Sequence, residues 1–237
     1  LFIGFLITSV SFAQDNWAPI GAVWHYDYYN ETVSGYVKIE STGDTIINGK
    51  SCKILNKTRY ANDGFSSNID TVHLGREYTY LDSNIVYYYR FDQFFVLYDF
   101  NASISDGWTV SGNSDFASIC DTIGYVFVDS TTIMNINNID LNGLYVNFAD
   151  SLNWSMYGLV LEKLGCLSYM FPEPYMCVFD AYEGGGLRCY SDSVFGLYQR
   201  DTTPCDYIDM ANSKVKEKEN HHIKVFPNPF KNYVSCL

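Results

Sequence analysis

The chain lacks most of the short motifs by which chemistry is read from sequence. No two of its seven cysteines stand in CxxC spacing, and only His25 and His73 lie outside the polar C-terminal segment, so thiol redox sites and zinc ribbons are excluded. There is no GxSxG nucleophile elbow, and neither histidine has a recognisable catalytic partner. Gly184-Gly185-Gly186 is not followed by Lys-Ser/Thr, so it is no phosphate loop and reads as a flexible turn between strands. Basic residues are few, 15 against 27 acidic ones for a net charge of −12, which argues against nucleic acid and anionic membrane surfaces as partners. Long apolar runs are missing too. The longest, at the N-terminus, falls short of the roughly 20 residues that a permanent membrane helix needs, so no stable membrane span is expected.

Aromatic residues, by contrast, are abundant. They make up 17% of the chain, with 21 Tyr and 16 Phe against 6 Pro, a composition that suits pleated, half-buried surfaces better than helices. Strand-like runs separated by Gly, Asn and Asp recur along the middle: 22–29, 35–40, 51–57, 78–81, 85–91, 94–98, 124–129, 143–148 and 176–179. The best helical candidate, 156–164, reads equally well as a buried strand. The expected fold is all-β, a β-sandwich or related barrel of one substantial domain. The segments starting at Gly35 and Gly124 are alike, each a strand, a polar turn, an Asn-Gly pair and a second strand. They offer the option of two related β-rich halves, against two ordinary hairpins.

Six cysteines lie in the central region, and disulfides are expected of them in an oxidising compartment. Closeness in sequence favours Cys166 with Cys177 and Cys189 with Cys205, although six cysteines allow fifteen connectivities. No cofactor and no metal site is expected. The oxygen-bearing residues from Asp99 to Asp106 do not meet the spacing of an EF-hand loop, where Ile104 and Val110 stand at the positions for Gly and Glu. For acid-base hydrolysis the carboxylates to consider are Asp99, Asp106 and Glu162, the last in an apolar run. Tyr26 to Tyr29 and Tyr87 to Tyr89 place tyrosines on both faces of a strand, so some face away from one sheet surface, where they stack on sugar rings or peptide side chains.

The ends of the chain read as addresses. Residues 1–14 combine an apolar run with the small residues of a signal-peptidase site, and 208–222 is a charged linker. Ile223-Lys224-Val225-Phe226 followed by Pro227-Asn228-Pro229 resembles the opening of the type A C-terminal sorting domain of the type IX secretion system, here at 223–237. Without an initial Met, and with that domain cut short, the sequence reads as truncated at both ends. The phrases GDTIINGKSCKIL, YLDSNIVYYY, LYDFNASISDGW, LEKLGC and LRCYSD resemble a group of secreted proteins that end in such domains, and the likeness assigns no activity.

The resemblance implies export through the periplasm to the outer surface or the medium, with the type IX machinery as a partner. It also gives a meaning to six Asp-Ser/Thr triplets, where composition alone predicts about one. They look like the O-glycosylation sequon of exported proteins in that phylum, with Thr45, Thr71, Thr122, Ser151, Ser193 and Thr202 as acceptors, although Asp ending a turn before a strand produces the same triplet. The functional expectation is a secreted or cell-surface module for binding or adhesion, toward an extracellular glycan or protein. The alternatives are a hydrolase of polysaccharide or peptide and a structural surface component.

Overall fold

A computed structural model describes residues 17–65, 68–113, 119–178 and 182–210. The expected signal peptide, most of the linker, and the Pro227-Asn228-Pro229 motif with its sorting domain lie outside these residues. All regular structure among the described residues is antiparallel β.

Six strands follow one another as a meander: β1 (Val23–Asn30), β2 (Val33–Ile47), β3 (Lys50–Asn62), β4 (Asp70–Asp82), β5 (Ile85–Arg90) and β6 (Gln93–Asp99). Several of their turns are two residues long with both residues at positive φ, namely Asn48-Gly49, Ser83-Asn84 and Phe91-Asp92. That conformation matches the twist of the flanking strands. β7 (Gly107–Ser111), β8 (Ile123–Ile136) and β9 (Ile139–Phe148) then build a second sheet with β11 (Gly158–Leu161) and β12 (Gly165–Cys166). β10 (Trp154–Ser155) pairs only with β13 (Glu173–Pro174). Finally β14 (Leu187–Asp192) returns to the first sheet beside β1, and β15 (Gly196–Gln199) closes its edge. The orders are β15-β14-β1-β2-β3-β4-β5-β6 and β12-β11-β9-β8-β7.

The period-two pattern of β1 explains which face turns inward. Trp24, Tyr26 and Tyr28 are buried, whereas Tyr29 is exposed. The inward residues of both sheets belong to one cluster, with Ile39, Leu55, Val86 and Leu97 from the large sheet and Val126, Val146 and Val160 from the small one. This is a β-sandwich core. A fully buried aromatic such as Trp24 contributes on the order of 4–6 kcal/mol by its area.

So many buried tyrosines need partners for their hydroxyls, and they find them across the sandwich. Tyr26 donates to the Cys166 carbonyl at 3.0 Å. Tyr98 donates to the Met170 carbonyl at 2.5 Å while accepting the Cys166 N–H at 3.0 Å. Tyr88 donates to the Ser111 carbonyl at 2.8 Å and accepts the N–H of the same residue. These bonds tie the 164–171 segment and β7 to the large sheet.

Several sequence expectations need correction. Of the two readings of 156–164 the strand is the one found, as β11, whereas Met176, expected to open a strand, lies outside any strand. The two similar segments are both long hairpins, each with a register shift in its first strand, at Ser41/Gly43 and Val128/Ser130. In the second, the turn falls at Asn137-Asn138, and Asn142-Gly143 lies within β9. The likeness stops at the hairpins, because the two sheets have eight and five strands in different orders.

Cys189 is bonded to Cys205, fastening the 201–210 segment to β14. Cys177, however, pairs with Cys120 across a separation of 57 residues and not with Cys166. Cys166 is a buried free thiol in β12, its Sγ 3.4 Å from the Tyr157 carbonyl, and its backbone is held by the Tyr26 and Tyr98 hydroxyls.

Candidate functional site

One end of the sandwich opens into a cavity of about 380 Å³. Four pieces of chain wall it: the end of β1 with Asp27 and Tyr29, residues 155–157 at β10, the stretch 166–173 across β12 and β13, and residues 182–186 leading into β14. Tyr29, Tyr157 and Tyr182 stand exposed around it at 73%, 54% and 51%. Met156, Leu167 and Phe171 give it apolar walls.

Glu173 is the carboxyl of this pocket. Pro172 and Pro174 flank it in sequence, which holds the backbone extended and aims the side chain. Its Oε1 accepts the N–H groups of Glu183 and Gly184, at 2.8 and 3.0 Å. Part of its surface stays open to the cavity while protein surrounds the rest. Burial, reinforced by the charge of Glu183, outweighs the two N–H bonds and pushes its pKa up to about 8. Near neutral pH it is a protonated acid.

The 184–186 segment is no flexible turn. A Cβ on Gly184 would stand 2.3 Å from the Tyr169 ring, and Gly186 accepts the Asp27 N–H at 2.8 Å, so the glycines allow close packing of this strip against β1 and Tyr169.

Beneath the pocket lies a buried ion cluster. Lys57 reaches Glu77 at 3.0 Å and Glu183 at 2.6 Å, and Arg90 reaches Glu77 at 2.7 Å. Tyr169 donates to Glu183 at 3.1 Å. Burial alone would raise the Glu77 carboxyl, yet Arg90 and Lys57 overcome it and hold the pKa at about 2. Burial likewise works against the charge on Lys57, and Glu77 and Glu183 outweigh it and keep its pKa above the usual value.

Strand parity builds the cluster, because Lys57 shares the inward face of β3 with Leu55 and Ala61, and Glu77 lies opposite Leu55 on β4. Between β3 and β4 the register shifts at Lys57/Thr58, and the opposing Gly75 sits at φ +95°. The extra residue is Leu74, so the bulge lies in β4 beside Lys57, whose strand partner is Gly75. Arg90, Glu77, Lys57, Glu183 and Glu173 thus form a continuous polar chain from the large sheet to the pocket.

On the outer side Asp27 is held by Arg188 at 2.5 Å and Arg200 at 2.9 Å. No cation lining the pocket is left for an anionic ligand among the described residues.

The carboxylates singled out from sequence are elsewhere. Asp99 and Asp106 close local turns by accepting the N–H of Asn101 and of Ser103. Glu162 caps Asn142, accepting its backbone N–H and its side-chain amide, both at 2.9 Å. None of the three lines the cavity. His25 packs against Tyr36, and burial, with Lys38 adding to it, lowers its pKa to about 4, so it is neutral at pH 7. His73 Nδ1 lies 3.2 Å from the Thr58 hydroxyl. Among the described residues no three His, Cys, Asp or Glu side chains group as metal ligands.

Of the six sequon hydroxyls, Thr71, Thr122, Ser151, Ser193 and Thr202 belong to exposed residues, and Thr45 is half-exposed. An Asp that ends a turn before a strand describes Asp70, which opens β4, and Asp121, which precedes β8, but not Asp44, which lies within β2, nor Asp192 and Asp201, which stand at or after the ends of β14 and β15 and accept downstream N–H groups.

No protein-family model matches the chain, and no curated protein and no solved structure matches it either.

Proposed function

We propose that the chain is an exported binding module whose pocket takes one or two rings of an uncharged, hydroxyl-rich extracellular glycan. The observation that carries this reading is the ring of three exposed tyrosines around a cavity whose nearby charges are already paired. Aromatic faces stack on the apolar faces of sugar rings, and tyrosine does so at little cost in side-chain entropy. Two disulfides suit a protein matured in an oxidising compartment. No helix of the described residues is long and apolar enough to cross a membrane. Type IX export and glycans on the six sequons belong to the same reading. An intact mass of the exported protein equal to that of the bare polypeptide would end the glycan part.

The direct test is a glycan array followed by calorimetry with Tyr157→Ala and Tyr182→Ala. Each loss of a stacking face is expected to weaken binding about fivefold to a hundredfold, equivalent to roughly 1–3 kcal/mol, with thermal stability little changed. Wild-type affinity in both variants would reject the pocket as the site.

A second reading has one observation in its favour, a protonated Glu173 in the same pocket as Asp27, which is how a hydrolase keeps a general acid beside a carboxylate. Against it, both oxygens of Asp27 are engaged by arginines. Turnover of a bound glycan that is lost in Glu173→Gln would establish it.

A further inference from the structure

We propose that the pocket selects sugars carrying an N-acetyl group, with Oε2 of Glu173 donating a hydrogen bond to the acetyl carbonyl and the apolar wall receiving the methyl. This rests on the glycan reading above and narrows it to a class of ligand.

The two oxygens of Glu173 are in different situations. Oε1 is occupied by the N–H groups of Glu183 and Gly184. Oε2 has no partner among the described residues, and the side chain lines the cavity. The proton of the neutral acid therefore belongs on Oε2, where it makes this oxygen a donor.

Other buried donors of the pocket are already spent. The Tyr169 hydroxyl goes to Glu183, the Ser155 hydroxyl to the Glu173 carbonyl at 3.3 Å, and the Cys166 thiol to the Tyr157 carbonyl at 3.4 Å. A donor with no protein acceptor calls for an acceptor on the ligand. An amide carbonyl is a stronger acceptor than a sugar hydroxyl. Met156, Leu167 and Phe171 line the same cavity, which suits a methyl group and leaves a bare hydroxyl unsatisfied.

The groups facing Glu173 keep it protonated around neutrality. Glu183, from the 182–186 strip, raises its pKa, and Lys57, from β3, lowers it less because it is shared with Glu77. Tyr157, Tyr169 and Cys166 are all pushed up by burial and add no charge at neutral pH. Asp27, at the far wall, is neutralised by its arginines.

The test is calorimetry of β-1,4-linked N-acetylglucosamine oligomers against glucose oligomers of equal length and linkage, at about pH 6 and about pH 9.5, with wild type and Glu173→Gln. At the lower pH the acetylated oligomer is expected to bind at least tenfold more tightly. Its affinity should fall at least tenfold at the higher pH, because the competent, protonated form becomes a minor one. Glu173→Gln keeps an acceptor for the two N–H groups and a donor toward the cavity, so it should bind at both pH values without that fall. Equal affinity for the two oligomers, or a wild-type affinity unchanged with pH, overturns the acetyl assignment and leaves the glycan reading standing. Failure of both oligomers to bind wild type overturns both. The pH comparison on wild type needs no variant to fold.

Discussion

Glu173 is a side chain whose protonation state is set by its surroundings, and this links it to stability as well as to the pocket. Its pKa is about 8 in the fold against an ordinary 4.5. The neutral acid therefore stabilises the fold fully below pH 4.5, and that contribution is lost as pH rises toward 8, by up to about 1.4 kcal/mol per unit. Glu173→Gln does not titrate and should remove this slope. Urea unfolding at about pH 5, 6.5 and 8 should show wild type losing stability relative to the variant, and parallel profiles would disprove the raised pKa. Little of this was legible in the sequence. Asp99, Asp106 and Glu162 stood near aromatic or apolar residues but serve turns and a cap, because nearness along the chain does not set nearness in a cleft. The usable signal was Glu173 between two prolines, a carboxyl on a rigid extended segment. For Lys57 and Glu77 the signal was strand parity, which puts Glu77 on the inward side with Thr79. The same parity puts Lys57 inward on β3 with Leu55 and Ala61.

Strands are where the sequence spoke most clearly. The runs at 22–29, 85–91 and 94–98 coincide closely with β1, β5 and β6, since aromatic and β-branched residues alternate there between flanking turns. Two-residue strands such as β10, β12 and β13 carry no such period, and their pairing is set by the tertiary fold. The β3–β4 bulge belongs in the same category, being visible only once Gly75 is seen at positive φ. Gly75→Ala meets no atom within 4 Å, so its cost is conformational. A loss of about 1–2 kcal/mol is expected in chemical denaturation, together with weaker ligand binding, because Lys57 would lose its aim at Glu183. Unchanged stability would show that the bulge tolerates a side chain.

For the whole molecule, composition pointed to all-β architecture and the described residues have it, as two large antiparallel sheets and a two-stranded ladder around one core. The disulfide set was only half legible. A 16-residue separation made Cys189 with Cys205 a natural pair, while Cys120 and Cys177 meet because the fold brings the approach to β8 against the segment after β13.

The large sheet is also assembled out of order. β1 is the first strand of the described residues, yet one flank of it stays unclaimed until residues 187–192, which follow the small sheet along the chain. Until then the backbone of Val23 to Tyr26 is an open seam, ready to accept a strand from another molecule. A fragment ending at Gly186 should therefore self-associate, visibly by size-exclusion chromatography, and a monomeric fragment that unfolds cooperatively would contradict this. The same seam makes β14 the latch of the molecule: the strand that covers β1 also draws the glycine strip against Asp27, so the pocket takes shape only when that seam is closed.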